Sequence, residues 1–283
     1  MSMSSPPRPE PSPSVRELLA FYVEAGVDCA LLDETVDRLA EQDVPRPTSD
    51  VVAPPAPAPQ ILRRAETAAP RTTAAPPPAP DVAIVSAREA ARTAPTLEAL
   101  RALMENFDGC PLKTTATRLV FADGNPQARV MFVGEAPGRD EDLSGLPFVG
   151  RSGKLLDLMI AAIGLDRTTA YIANVIPWRP PGNRDPSPQE TQICLPFIKR
   201  QIELVNPDVL VCLGKPSSQA VLNLKDGIMR MRGRWYDYDT GTRSIRAMAT
   251  FHPAYLLRQP IYKRMAWQDL RAVAKALQEA ATS

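Results

Sequence analysis

Cysteine and histidine are scarce in this 283-residue chain, which holds four of the first and one of the second. Cys29, Cys110, Cys194 and Cys212 stand far apart, so no close pair signals a disulfide framework or a zinc knuckle. No apolar run is long enough to span a membrane, and the N-terminus lacks the apolar core of a secretory signal, so a cytoplasmic protein is expected. The net charge is only +1, too small by itself to establish a polyanion partner.

Proline, in contrast, is plentiful and uneven: 16 of the 31 prolines precede residue 82. The Pro/Ala tract of residues 44–80 cannot bury enough apolar surface to offset its ordering entropy. Three regions are therefore expected: an N-terminal helical segment (1–43), a disordered linker (44–90) and a catalytic body (91–283). Two short helical patterns, 15–25 and 31–41, fall in the first region, whose partner is unknown. Residues 1–90 carry a net charge of −5 and the remainder +6, so the body is mildly basic and suits a polyanion.

Strand and helix patterns alternate through the body. Residues 128–134, 170–176, 208–213 and 245–251 read as strands, with a polar hairpin-like stretch around 230–238. Helices are expected from Thr96, over 154–163, 187–205 and 216–222, and finally over 262–280. This order predicts an α/β fold, a three-layer α/β/α sandwich around a central, mostly parallel four-stranded sheet.

In such a sheet the loops at the strand carboxyl ends converge on one crevice. The segment from Gly134 to Leu156 leaves the first strand with Glu135, Glu141, Asp142 and Phe148; the second strand ends at Asn174, and the fourth at His252, the lone histidine. Each residue has an ordinary reading as well: a solvated carboxylate, a core aromatic, a turn former. Their joint placement at three strand ends is what points to a site. Further on, Gly214-Lys215-Pro216-Ser217-Ser218 opens a helix whose free amides suit a phosphate, with Lys215 and Ser217 as contacts. It is not a nucleotide-binding P-loop, because Val209 occupies the first glycine position and Pro216 follows the lysine.

Four motifs, Gly134-Glu135-Ala136-Pro137-Gly138, Gly145-Leu146-Pro147-Phe148-Val149-Gly150, Asn174-Val175-Ile176 followed by Arg179-Pro180-Pro181, and His252-Pro253-Ala254-Tyr255-Leu256-Leu257-Arg258, resemble those of the uracil-DNA glycosylase superfamily, closest to its family 4. The resemblance covers residues 107–272. It implies hydrolysis of the bond between uracil and deoxyribose in DNA by a base-flipping, monofunctional enzyme that initiates base-excision repair. Uracil-containing DNA would be the partner, abasic DNA the product, and a monomer the working form. Gly134, Ala136, Phe148 and Asn174 would bind the base, with Phe148 stacking on it and Asn174 reading its edge. His252 would stabilise charge on the departing uracil, and Glu135, or else Glu141, would serve the sugar and the attacking water. Leu256, Leu257 and Arg258 would wedge into the minor groove. Ala136 stands where another branch of the superfamily has a water-activating aspartate, so that mechanism does not transfer unchanged.

Family 4 usually holds an iron-sulfur cluster on four cysteines. Cys110 and Cys194 match two of those positions, whereas Phe107 and Trp178 occupy the others, so no cluster is expected. Nor does a basic, histidine-bearing insert follow Asn174, which argues against covalent trapping of DNA. Two other readings remain at this point, a binding protein for uracil-containing or abasic DNA with weak turnover, and an unrelated small-molecule hydrolase on the same fold class.

Overall fold

The computed structural model describes residues 80–282. The two N-terminal helical patterns and most of the Pro/Ala tract lie outside the described residues. Helix α1 (Pro80–Thr93) is followed by α2 (Leu97–Glu105), whose start is capped as expected, Thr96 accepting from the Ala99 amide at 3.2 Å.

α1 corrects the linker boundary, since residues 80–90 are helical. Ala83, Ala87, Ala91 and Ala94 are buried, and α1 packs along the later helix α5 (Pro188–Val205). Alanines at helical spacing make a thin face that lets two helices approach closely. In composition such a stretch is continuous with the Pro/Ala tract before it, which is why the sequence hides the boundary.

The sheet has six strands rather than four. They are β1 (Asp123–Gly124), β2 (Val130–Gly134), β3 (Ala170–Asn174), β4 (Val209–Leu213), β5 (Trp235–Asp239) and β6 (Ser244–Thr250), in the order β1-β3-β2-β4-β6-β5. The parallel centre, β3-β2-β4-β6, consists of the four expected strands. The two additions are antiparallel edges. β1 is too short to show a periodicity, and β5 is the polar stretch read as hairpin-like; an edge strand with one wet side carries a weaker apolar signal.

Alternation along the strands divides the core in two. Val130, Phe132 and Ile172 face one layer, which includes helices α4 (Arg151–Ala161), α8 (Pro253–Arg258) and α9 (Lys263–Thr282). Met131, Val133 and Ala173 face the other, with α1, α2 and α5. Register then places the site: Gly134 is opposite Asn174, and Leu213 is opposite Thr250. Glu135, Asn174, Gly214 and His252 thus emerge along one edge of the sheet.

Candidate active site

A cleft of about 630 Å³ opens at that edge, lined among others by Glu135, Ala136, Phe148, Asn174, Lys215, His252 and Arg258. The structure therefore brings together the main residues singled out in the sequence. Asn174 is 5% exposed, and its Oδ1 is buried without a hydrogen-bond partner among the described residues. Leaving a buried amide oxygen unpaired costs about 1–3 kcal/mol, so this acceptor awaits a donor.

Gly134 allows the arrangement. A Cβ at that position would stand 2.4 Å from Asn174 Oδ1 and 2.5 Å from Phe148 Cζ. Only a glycine leaves the amide and the ring side by side. Phe148 is itself in the left-handed region, at φ 55°, which costs a bulky residue about 1–3 kcal/mol and persists only where its surroundings enforce it.

His252 follows β6 and caps α8, its Nδ1 accepting the Ala254 amide hydrogen at 3.1 Å. A nitrogen that accepts is unprotonated, so in the neutral ring the proton belongs to Nε2. Burial, with a smaller contribution from the Arg258 charge, pulls the imidazole down to about 4, and the ring is neutral at physiological pH. Its centroid lies 5.5 Å from that of Phe148. Gly214, at φ 89°, passes so close that a Cβ there would be 2.9 Å from His252 Cβ.

The two candidate glutamates differ. Glu135 is half-buried, and its carboxylate forms no hydrogen bond or ion pair among the described residues; burial, and then the charge of Asp185, raise its carboxyl above the usual carboxylate range. Glu141, on the short helix α3 (Arg139–Ser144), is a clamp. Its Oε1 accepts from the amides of Val149 and Gly150, both at 3.0 Å, and its Oε2 from Gly138 at 3.1 Å. A carboxylate so engaged shapes the loop and has little left for a water. Asp142 turns to Thr117, accepting its amide at 2.8 Å and its hydroxyl at 2.9 Å.

Two expected DNA contacts are corrected. Ser217, inside helix α6 (Lys215–Leu222), is fully buried and donates back to the carbonyl of Leu213 at 2.7 Å, so its hydroxyl is unavailable to a phosphate. Leu256 is 1% exposed and belongs to the core, whereas Leu257 is 37% exposed. Neighbours on a helix point about 100° apart, so of two adjacent leucines one faces in and the other out. Lys215 and Arg258 do line the cleft.

Part of one wall of the cleft escaped sequence reasoning. Asn183, Arg184 and Asp185 form it, beside Pro180 of the third motif. Arg184 is tied twice to Glu190, at 2.7 and 2.9 Å, and Glu190 also closes the capping box of α5 with Ser187. The Pro-Pro-Gly-Asn turn before it, with Gly182 and Asn183 both left-handed, was the available signal.

The family model of the uracil DNA glycosylase superfamily matches residues 121–271. The chain belongs to this superfamily. It is 44% identical over 168 residues to a type-4 uracil-DNA glycosylase of Archaeoglobus fulgidus, covering 58% of this chain and 84% of that relative. It is 42% identical over 163 residues to a type-4 uracil-DNA glycosylase of Thermotoga maritima, with 57% and 83% covered. The superfamily match runs from just before β1 into α9, so the whole sheet and every cleft residue named above lie inside it.

The cluster that family 4 implies does not fit the residues present. Cys110 and Cys194 lie with their Sγ atoms 3.8 Å apart, the contact lowering the Cys110 thiol pKa and burial raising that of Cys194. The remaining positions hold Phe107 and Trp178, both buried, with the Phe107 ring edge-on to Phe197 at 5.1 Å. Cys212 lies within β4, and among the described residues no group of three or more His, Cys, Asp or Glu is placed to hold a metal. A cubane cluster needs four thiolates or close equivalents.

Proposed function

We propose that this chain is a monofunctional uracil-DNA glycosylase that flips deoxyuridine out of DNA, hydrolyses its N-glycosidic bond and so initiates base-excision repair. The orphaned Asn174 Oδ1, buried beside the Phe148 ring, is the observation that carries the reading. Uracil presents N3–H and O4 on the edge that a carboxamide can read, the amide oxygen accepting from N3–H and its NH2 donating to O4. Cytosine presents an acceptor and a donor at the same places, so both contacts become repulsive. Phe148 supplies the stacking face that an extruded base needs.

As the bond between N1 and C1′ breaks, negative charge collects on uracil O2 and positive charge on the sugar. The Nε2–H of neutral His252 donates to O2, and because the ring is already neutral the enzyme loses no net charge interaction in presenting it. The ionised Glu135 favours the oxocarbenium-like sugar and orients the water whose oxygen bonds to C1′, the water's proton balancing the uracil anion. Lys215 and Arg258, which line the cleft, engage the backbone, and the exposed Leu257 fills the gap left by the base. The enzyme works without an iron-sulfur cluster, its place taken by Phe107 and Trp178.

The test is release of uracil from single- and double-stranded oligonucleotides by the full-length protein. Uracil release, intact strands and no adduct on borohydride treatment are expected. DNA retained with its uracil while abasic DNA is bound tightly would replace this reading with that of a binding protein. Iron and acid-labile sulfide are expected to be absent from anaerobically purified protein.

A further inference from the structure

The backbone of Phe148 is held by a residue that does not line the cleft. Arg167 sits in the turn before β3, a turn whose Asp166 carboxylate accepts from the Thr168 amide at 2.8 Å and its hydroxyl at 2.6 Å. From there its guanidinium donates to the carbonyl of Phe148 through Nη2, and to that of Pro147 through Nη1 at 3.2 Å. Its Nε donates to Asp157 at 2.8 Å, and Nη1 also reaches Asp123. One planar group thus ties β1, α4 and the loop that carries Phe148.

Phe148 needs such a restraint, because its left-handed backbone is one that an aromatic residue leaves when free to do so. Gly153 lets the loop settle there, since a Cβ on it would lie 1.7 Å from the Phe148 carbonyl oxygen. The loop is then gripped on both kinds of backbone group: Arg167 holds the carbonyls of residues 147 and 148, and Glu141 holds the amides of residues 149 and 150. The two carboxylates on Arg167 more than offset its charge and set the plane of the fork, so its contribution here is geometric.

We infer that Arg167 is a positioning residue for base recognition, holding the Phe148 ring as the floor on which uracil stacks beside Asn174. The inference rests on the proposed role of Phe148. β3 thereby delivers both halves of the recognition: Arg167 precedes its first residue, and Asn174 is its last.

Inhibition by free uracil, with KM and kcat on a single-stranded uracil oligonucleotide, tests it in the full-length protein. Arg167→Ala is expected to raise the uracil Ki and KM about tenfold with a smaller change in kcat, the pattern of lost uniform binding. Arg167→Lys stays impaired, since one ammonium cannot span two carbonyls and two carboxylates. Asp157→Asn, which loosens the fork and keeps the arginine, shifts Ki in the same direction by less, and serves should Arg167→Ala fail to fold. The double variant Phe148→Ala/Arg167→Ala is expected to bind uracil no more weakly than Phe148→Ala alone, because Arg167 acts through that ring. Additive losses, or an unchanged uracil Ki in the two Arg167 variants, overturn the proposal. If Phe148→Ala itself leaves the uracil Ki unchanged, the role of Phe148 fails first and the positioning role with it.

Discussion

Two buried regions of this protein differ in a telling way. At the cleft, polar groups are taken out of water and left incomplete: Asn174 Oδ1 has no partner among the described residues, Glu135 carries a carboxyl raised by burial, and His252 is held neutral. Around Cys110 and Cys194 the packing is apolar, with Phe107, Trp178 and Phe197 in the same buried cluster as the two thiols. Incomplete polarity inside a fold costs stability and points to a ligand; complete apolar packing stabilises and asks for nothing further. Within one superfamily scaffold, the first region holds the groups of the proposed recognition site and the second is core.

Perturbing the two regions is therefore expected to give different readouts. At the cleft, Asn174→Ala is expected to lower kcat/KM for uracil release about 10³-fold with little change in Tm, as measured by steady-state kinetics and thermal melting. In the apolar region, Trp178→Ala is expected to destabilise by about 3–5 kcal/mol in urea unfolding while the surviving folded protein keeps its KM. A Trp178 variant that lost uracil recognition at unchanged stability would erase the distinction.

The pH response sharpens it. His252 titrates near 4 in the folded protein and near its ordinary value of about 6.5 when unfolded. The stability tied to its neutral form is thus present above pH about 6.5 and is lost as pH falls through about 4, some ~3 kcal/mol in all. Unfolding of wild type and His252→Asn measured between pH 4 and 7 is expected to show a shallower slope in the variant. For activity, if Glu135 serves the sugar as proposed, its raised carboxyl is expected to place the acid limb of kcat/KM above the usual carboxylate range, and Glu135→Gln is expected to remove that limb along with most of the rate. The smallest effect lies at the clamp. Glu141→Gln keeps the shape but offers one acceptor oxygen where two served three amides, so a loss of about 1–2 kcal/mol of stability is expected, with a modest rise in KM.

Much of this was readable along the chain. The apolar runs of β2, β3 and β4 are buried on both faces and so appear as unbroken hydrophobic stretches, and their order alone assigns the residues directly after them to one edge. Asn174 and His252 were legible because strand ends in a parallel sheet converge. Ser217 and Leu256 were misassigned for one shared reason: a motif states which residues stand near a site, but the helical phase decides which of them face it. The two edge strands and α1 were missed because their signals are short or hidden within a composition bias.

The sequence by itself determined the layer architecture, the four central strands and the set of groups that meet at their carboxyl edge. These follow from local periodicity and from the handedness of strand connections, which act over a few residues at a time. The tertiary structure decided the state of each group: that Asn174 Oδ1 lacks a partner among the described residues, that His252 is neutral, that Glu141 is spent on three amides, and that Arg167 holds the backbone of Phe148 in place. Those properties depend on burial and on contacts between segments brought together only by folding, such as residues 123, 148, 157 and 167, and no local pattern encodes them.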